Sequence, residues 1–257
     1  MISLIMAIHN EEEYLPRSLS ALKKIEDRIG EFIFILDRCS DSSEVIVRSF
    51  FPNARIIKKE ERKWKNSYSE NLQIGFLESN GEIILLLDAD IVIPSNLLNV
   101  LLPELKGNIA TVGPKIVTDK NVSFLNLLYH YWEKISYSIS PLGREARGAC
   151  RLIRRDCLEK VGGFKDVIAP DTQLDLDLRK LGYKSKLVED IECLHIRRIS
   201  LRKAVKSQIM SGIMRRQLKM PLWRVIGHAL LRLRPLVIYG YLKQALHEAR
   251  LSRKYSE

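Results

Sequence analysis

The chain has no C-x-x-C pair. Its four cysteines, Cys39, Cys150, Cys157 and Cys193, indicate neither a zinc site nor a disulfide framework, and reduced thiols are the default. No G-x-G-x-x-G follows the first strand-like segment, so the phosphate-binding turn of a dinucleotide fold is missing. The absence of G-x-x-x-x-G-K-S/T argues against a P-loop nucleotidase. No stretch reaches the ~18 uncharged residues of a spanning helix. Arg224, Arg232, Arg234 and Lys243 interrupt the most apolar part of the C-terminal region. The start, Met1 to His9, runs directly into Asn10-Glu-Glu-Glu13, which reads as a first strand entering a polar loop, not as a signal peptide. Internal repeats and low-complexity segments are also absent.

What is present is a 257-residue chain, 46% hydrophobic, enough for one large α/β domain with or without an appendage. Its net charge of +11 is uneven. Residues 197–257 hold fifteen Lys/Arg and two acids, a net +13, whereas residues 1–196 carry −2. Such asymmetry points to an anionic surface, membrane or nucleic acid. Strand-like and helix-like segments alternate through the first half: strands at 2–8, 31–36 and 54–58, helices at 12–24, 42–51 and 67–79. This rhythm predicts a mostly parallel sheet with helices on both faces. Further segments are a strand at 109–117, an amphipathic helix at 122–138, a loop at 143–148, a strand at 149–154 and a short helix at 157–161.

The most informative stretch is Glu82-Ile-Ile-Leu-Leu-Leu-Asp-Ala-Asp90. Five consecutive apolar residues read as a strand buried on both faces, and it delivers Asp88 and Asp90 to its carboxyl edge. Two carboxylates so placed repel unless a cation sits between them. A divalent ion carrying a diphosphate suits oxygen ligands of this kind.

At this point the chain resembles the family-2 glycosyltransferases. Ala7-Ile-His-Asn-Glu-Glu-Glu-Tyr-Leu15 is similar to their opening P-x-Y-N-E-E, and Leu36-Asp-Arg-Cys-Ser-Asp41 to their V-D-D-x-S-x-D. Asn80–Asp90 resembles A-x-G-E-x-x-x-x-L-D-A-D, and Leu158–Phe164 resembles L-x-x-x-G-G-F. Asp171-Thr-Gln-Leu with Leu178-Arg-Lys-Leu-Gly-Tyr183 resembles E-D-x-x-L…R-x-x-G-Y. Five motifs in the family's order span residues 1–195. The resemblance implies a GT-A fold, a Rossmann-like α/β sheet flanked by helices. It also implies inverting transfer of a sugar from a nucleotide-diphosphate donor, UDP- or GDP-linked, with Mn²⁺ or Mg²⁺ as cofactor. The expected domains are a catalytic domain over 1–196, with a donor half to about 118 and an acceptor half from 119, and a basic helical tail over 197–257.

The resemblance also places the site. Ala7, His9, Asn10, Glu11, Asp37, Lys65, Asp88 and Ala89 are expected on the donor, with Asp37 accepting from its base and Asp88 near ribose and diphosphate; for Lys65 a solvated charged loop is the alternative. Asn10 and Glu11 also read as a helix N-terminus with acids in its first turn. Asp90 is expected to ligate the metal, and His195, after a strand-like segment, to complete the site. Asp171 falls at the catalytic base. Pro170 replaces the family's usual Glu, and Gln73 its usual Asn before Gly75. Asp175 and Asp177 are expected on a solvated helix face.

On the acceptor side, Tyr129, Tyr131, Trp132 and Tyr137 form an aromatic cluster, with core packing as the alternative for Trp132. Arg147 and Gly148 belong to a polar loop that suits either an acceptor phosphate or a mobile surface loop. In the tail, Pro221–Leu233 sets Arg224, His228 and Arg232 on one helix face against Trp223, Ile226, Leu230 and Leu233. That pattern fits peripheral binding at the inner face of the cell membrane and a lipid-linked or polyprenyl-phosphate acceptor. A soluble glycan acceptor, packing of the tail on the catalytic domain and a homodimer interface are alternatives. Nucleic acid is disfavoured because no recognition motif accompanies the basic tail. A sugar nucleotidyltransferase is disfavoured because residues 1–20 hold no glycine-rich basic loop.

Overall fold

The computed structural model describes residues 1–139 and 145–254. The chain forms two compact units, Met1–Asp119 with Arg144–Arg197, and Lys120–Gly143 with Arg198–Glu257. The units interleave where one boundary near residue 196 is expected. The segment 120–143 groups with the C-terminal helices, not with an acceptor half of the first unit.

In chain order the elements are β1 (Ile2–Ile8), α1 (Leu15–Lys23), β2 (Glu31–Asp37), α2 (Ser43–Phe50), β3 (Arg55–Lys59), α3 (Ser67–Glu78), β4 (Ile83–Leu87), β5 (Ile91–Val92), α4 (Leu97–Leu101) and β6 (Ile109–Thr118). There follow α5 (Phe124–Ile139), β7 (Cys150–Arg154), α6 (Arg155–Lys160), α7 (Pro170–Lys180), β8 (Lys184–His195), α8 (Leu201–Gln217), α9 (Leu222–Leu231) and α10 (Leu236–Lys254).

The first unit is the expected α/β architecture. Its sheet has the order β3-β2-β1-β4-β7-β6-β8-β5. β3, β2, β1 and β4 run parallel, as do β6 and β8, while β7 is antiparallel to β4 and β6. Alternate residues feed two core layers. Leu4, Met6, Ile8, Phe34, Leu36, Leu85 and Leu87 join one layer with Leu15, Leu19 and Leu22 of α1 and Val47 of α2. Ile5, Ile33, Ile35, Ile84 and Leu86 join the other with Leu72 and Phe76 of α3 and Leu174 and Leu178 of α7. Burial on both faces is why Ile83–Leu87 is unbroken in its apolar character, and each such side chain contributes ~2 kcal/mol. Because β1, β2 and β4 are parallel neighbours, the residues after their carboxyl ends emerge on one edge: 9–11, 38 and 88–90.

α1 begins at Leu15, capped by Tyr14, with no acid in its first turn. The Glu11 carbonyl nevertheless accepts from the Tyr14 and Leu15 N–H groups, each at 3.0 Å, so Glu11 opens the turn that leads into α1, while Asn10 lies in the loop before it. Asn10 adopts φ 54°, a left-handed conformation that asparagine tolerates.

In the second unit, Val225, Ala229, Val237 and Tyr241 form a small core. Gly212 of α8 and Gly240 of α10 meet the opposite helix backbone so closely that neither has room for a Cβ. α5 is tied in by Asn126, which accepts from the Ile199 N–H at 3.0 Å, and by Tyr129, whose hydroxyl accepts from Arg234 at 3.1 Å. α8 has no single apolar stripe, so hydrophobic periodicity gives no sign of it.

Candidate active site

The loops after β1 and β2 are stitched together. The Ser40 N–H donates to Asn10 Oδ1 at 2.8 Å, Glu11 N–H to Ser43 Oγ at 3.0 Å and Glu12 N–H to Asp41 Oδ2 at 3.0 Å. His9 Nδ1 donates to the Asp37 carbonyl at 2.6 Å. Asp37 itself is buried and surrounded by donors. Arg38 Nε lies 2.8 Å from Oδ1; Ser67 Oγ at 2.5 Å and Asn71 Nδ2 at 3.0 Å reach Oδ2. Lys59 Nζ adds a charge 3.3 Å from Oδ2. Burial opposes the charge on Asp37, but these partners outweigh it and hold the carboxyl well below the usual carboxylate range.

The turn after β4 is fixed on both sides, by Asp88 N–H donating to the Ala149 carbonyl at 2.8 Å and by Ile196 N–H donating to the Asp90 carbonyl at 3.0 Å. Residues 195 and 197 flank that second bond in extended chain, so their side chains share a face. Both reach Asp90: His195 Nε2 lies 2.9 Å and Arg197 Nε 2.5 Å from Oδ2. Burial works against the Asp90 charge, but the hydrogen bond and charge of His195, then those of Arg197, hold its pKa at about 2. Asp88 goes the other way. Burial, then the charge of Asp90, pushes it up to about 6, although the Tyr68 hydroxyl donates to Oδ1 at 2.9 Å. The two acids of the D-x-D are thus split, as like charges in one buried turn must be.

Asp37, Asp88 and Asp90 line one cleft of about 350 Å³, with Ala7, His9, Glu11 and Ala89 from the expected donor set. Asn10 and Lys65 do not line it. Asn10 spends its side chain on Ser40, and Lys65 contributes its backbone N–H to Asp166 Oδ2 at 2.9 Å while its side chain stays exposed. Arg38, Ser67, Tyr68, Asn71 and Arg197 line the cleft without having been singled out from the sequence. Ser67, Tyr68 and Asn71 lie within one turn of α3, and Arg197 is two residues from His195, so helical and extended spacing were the available signals.

Asp171 sits in the first turn of α7, where Pro170 occupies the first helical position and the backbone N–H groups favour an acid. Its charge acts on both Asp88 and Tyr68, but Asp171 does not itself line the cleft that Asp37, Asp88 and Asp90 share. Gly148 packs against its side chain. Beneath it, Arg151 of β7, fully buried, donates to the Asp171 carbonyl at 3.4 Å and to Asp175 Oδ1 at 2.7 Å. Asp175 and Asp177 are not on a solvated face. Asp175 is mostly buried against Arg151, its side chain 11% exposed, and Asp177 is buried among Lys165, Gln173 and Lys180. Gln73 does not face the cleft; its Oε1 accepts from Phe164 N–H at 2.7 Å, tying α3 to Gly163. Trp132 lies in the second unit, 4.8 Å from the Tyr129 ring and beneath Arg234 at 4.7 Å. Arg144, part of the expected polar loop, and the side chain of Tyr137 lie outside the described residues.

Among the described residues no three His, Cys, Asp or Glu side chains are arranged to hold a metal ion. Asp90 lines the cleft and His195 does not, but the imidazole meets the Asp90 carboxylate at 2.9 Å, so an oxygen and a nitrogen lie side by side there. Oxygen and nitrogen donors of this kind are compatible with Mn²⁺ or Mg²⁺, but two side chains would need further ligands from outside the chain.

The sequence profile described as Glycosyl transferase family 2 matches residues 3–162. The probable glycosyltransferase YdaM of Bacillus subtilis is 28% identical over 207 residues, covering 71% of this chain and 47% of that protein. The chain thus spans about half the length of that curated relative. Among solved structures, the mannosyltransferase PcManGT of Pyrobaculum calidifontis, in complex with GDP-Man and Mn²⁺, aligns at a TM-score of 0.64 with 20% identity, covering 94% of this chain and 69% of that one. Glucosyl-3-phosphoglycerate synthase of Mycobacterium tuberculosis, in complex with Mn²⁺, UDP and phosphoglyceric acid, aligns at 0.59 with 19% identity, covering 82% and 76%. At these identities the structural matches speak for the fold.

Proposed function

Since the chain belongs to glycosyl transferase family 2, we propose that it moves a sugar from a nucleoside-diphosphate donor to an acceptor hydroxyl, with inversion at the anomeric carbon. The observation that carries this reading is the meeting of Asp37, Asp88 and Asp90, from two parallel strand ends, in one cleft. Solved relatives of the same fold hold GDP-Man or UDP with Mn²⁺.

Asp37, with Arg38 beside it, faces the donor's base; Glu11, His9, Ala7 and Ala89 complete that wall, and Asn10 holds its loop. Lys65 is assigned to the diphosphate only through the family resemblance. Asp90 and His195 would hold the metal through a carboxylate oxygen and an imidazole nitrogen. A bound Mn²⁺ or Mg²⁺ neutralises the diphosphate and improves it as leaving group. Asp171 takes the acceptor's proton as the acceptor oxygen bonds to the anomeric carbon; the bond to the diphosphate breaks, and its electrons leave with the phosphate oxygen. Gly148, packed against Asp171, and Arg147 before it in sequence line the acceptor side.

The acceptor we favour is lipid-linked, a polyprenyl phosphate or its glycoside, met at the inner face of the cell membrane. The support is in the second unit, whose residues carry a net +13 and leave large apolar groups exposed. No helix among the described residues is long and apolar enough to cross a membrane. A melting-temperature panel of UDP- and GDP-sugars with and without Mn²⁺ tests the donor reading. A metal-dependent rise for one nucleotide class is expected, absent in Asp90→Asn; no rise for any donor refutes it. Transfer to polyprenyl phosphate set against soluble glycans decides the acceptor.

A further inference from the structure

Arg197 joins carboxylates from two strand ends. Its Nε lies 2.5 Å from Asp90 Oδ2, and its Nη2 lies 2.6 and 2.7 Å from the two oxygens of Glu11. The Tyr14 ring backs the guanidinium at 4.8 Å. The same Asp90 Oδ2 also meets His195 Nε2 at 2.9 Å. A carboxylate oxygen has two lone pairs in its plane, and these two neighbours take both. A divalent ion that binds through Oδ2 must therefore displace one of them. His195 can stay, because an imidazole nitrogen is itself a metal ligand. Arg197 has no lone pair to offer and remains charged, so it cannot.

We propose that Arg197 is a resident counter-cation, which a divalent metal binding through Oδ2 of Asp90 must displace. The proposal rests on the reading of Asp90 as the metal's carboxylate. It assigns an order to ligand binding. Metal alone gains one carboxylate at the expense of an ion pair, and it meets a fixed positive charge on the same oxygen. Metal with a nucleoside diphosphate gains phosphate oxygens, and the displaced guanidinium gains them too. The cleft is thereby kept from filling with metal in the absence of donor. Glu11 and Tyr14 act as positioning residues that hold the arginine in place.

The test is Mn²⁺ binding to the intact chain, read from the electron paramagnetic resonance of the free ion, first alone and then with UDP or GDP. Arg197→Gln is expected to bind Mn²⁺ alone about ten-fold more tightly than the parent chain. Tyr14→Ala leaves both carboxylates and the arginine in place but removes its backing, and is expected to shift affinity the same way by less. The parent chain is expected to gain more from added nucleotide than Arg197→Gln does. Circular dichroism reports whether each variant is folded, and Tyr14→Ala decides if Arg197→Gln is not. Variants that bind Mn²⁺ alone no more tightly than the parent overturn the proposal. Failure of the underlying metal assignment looks different. In that case the parent chain binds no Mn²⁺ even with nucleotide, or Asp90→Asn binds it equally well, and both readings fall.

Discussion

A Cβ on Gly148 would stand 2.9 Å from Oδ2 of Asp171 and 3.1 Å from its Cβ. The carboxylate proposed as base is therefore packed against a position where only hydrogen fits. Gly148→Ala must push the Asp171 side chain aside, and a displacement of this kind costs up to ~100-fold in turnover. Donor affinity and melting temperature should hold, because neither depends on that carboxylate. Steady-state kinetics beside a nucleotide titration checks this; full turnover in Gly148→Ala would show that Asp171 is not the base.

Arg151 and Asp175 form a buried ion pair at 2.7 Å beneath the N-terminal turn of α7. Burial raises the Asp175 pKa, although the charge and hydrogen bond of Arg151 pull it down. Removing the arginine alone leaves an acid without its counter-charge, so Arg151→Met should destabilise by about 3 kcal/mol in urea unfolding. Arg151→Met with Asp175→Leu should recover much of that loss. Equal destabilisation of the single and double variants would show that packing around β7, not charge, sets the cost.

These two sites mark where the sequence stops being legible. The β4 strand and its acids were readable because two-sided burial leaves no polar residue between Ile83 and Leu87, and the acids begin where the strand ends. Asp175 and Asp177 were misread as solvated because a helix face takes its surroundings from elements distant in sequence. Arg151 comes from β7, and Lys165 from the loop before α7. Arg197 follows His195 by two residues, but no local pattern marks it, because its role depends on Glu11, far away in sequence. The grouping of α5 with the C-terminal helices rests on Tyr129, Asn126 and Arg234, contacts that no local pattern encodes.

Asp177 predicts an acid-sensitive increment of stability. It accepts from Lys165 at 2.6 Å, Lys180 at 2.9 Å and Gln173 at 3.0 Å. Burial opposes its charge, but these donors hold its pKa at about 2, against an ordinary value of 3.8. The folded pKa is the lower one, so the unfolded chain takes up the proton first as pH falls. The stabilisation is complete above pH ~4 and disappears as pH approaches ~2. Lys165 and Lys180 are 49% and 71% exposed, which screens the pairs. Asp177→Asn should therefore cost only about 1 kcal/mol at pH 7. Urea unfolding at pH 7, 5 and 3 should show the gap between parent and variant narrowing toward acid; a constant gap would mean that charge is not its source.

The second unit predicts where lipid makes contact. On α9 the buried residues are Val225 and Ala229, while Trp223 is 72% and Leu230 66% exposed. Leu233, just beyond the helix, is 69% exposed. Arg232, expected on a solvated basic face, is instead buried, so the exposed side of this helix is more apolar than the sequence pattern suggests. α5 adds Phe124, Leu128, Tyr131 and Ile135, exposed at spacings of four, three and four residues and hence on one face. Apolar groups of this size stay in water at a cost unless a surface covers them, and a unit of net +13 favours an anionic one. The intact chain should cosediment with phosphatidylglycerol-containing vesicles and less so with purely zwitterionic ones, and added salt should weaken the first interaction. Replacing Trp223, Leu230 and Leu233 together by serine should weaken vesicle binding about ten-fold while leaving the melting temperature and the metal-dependent nucleotide shift intact. Retained vesicle binding in the triple variant would move the contact to α5, and a salt-sensitive gel shift with DNA or RNA in place of any vesicle binding would assign the basic unit to nucleic acid instead.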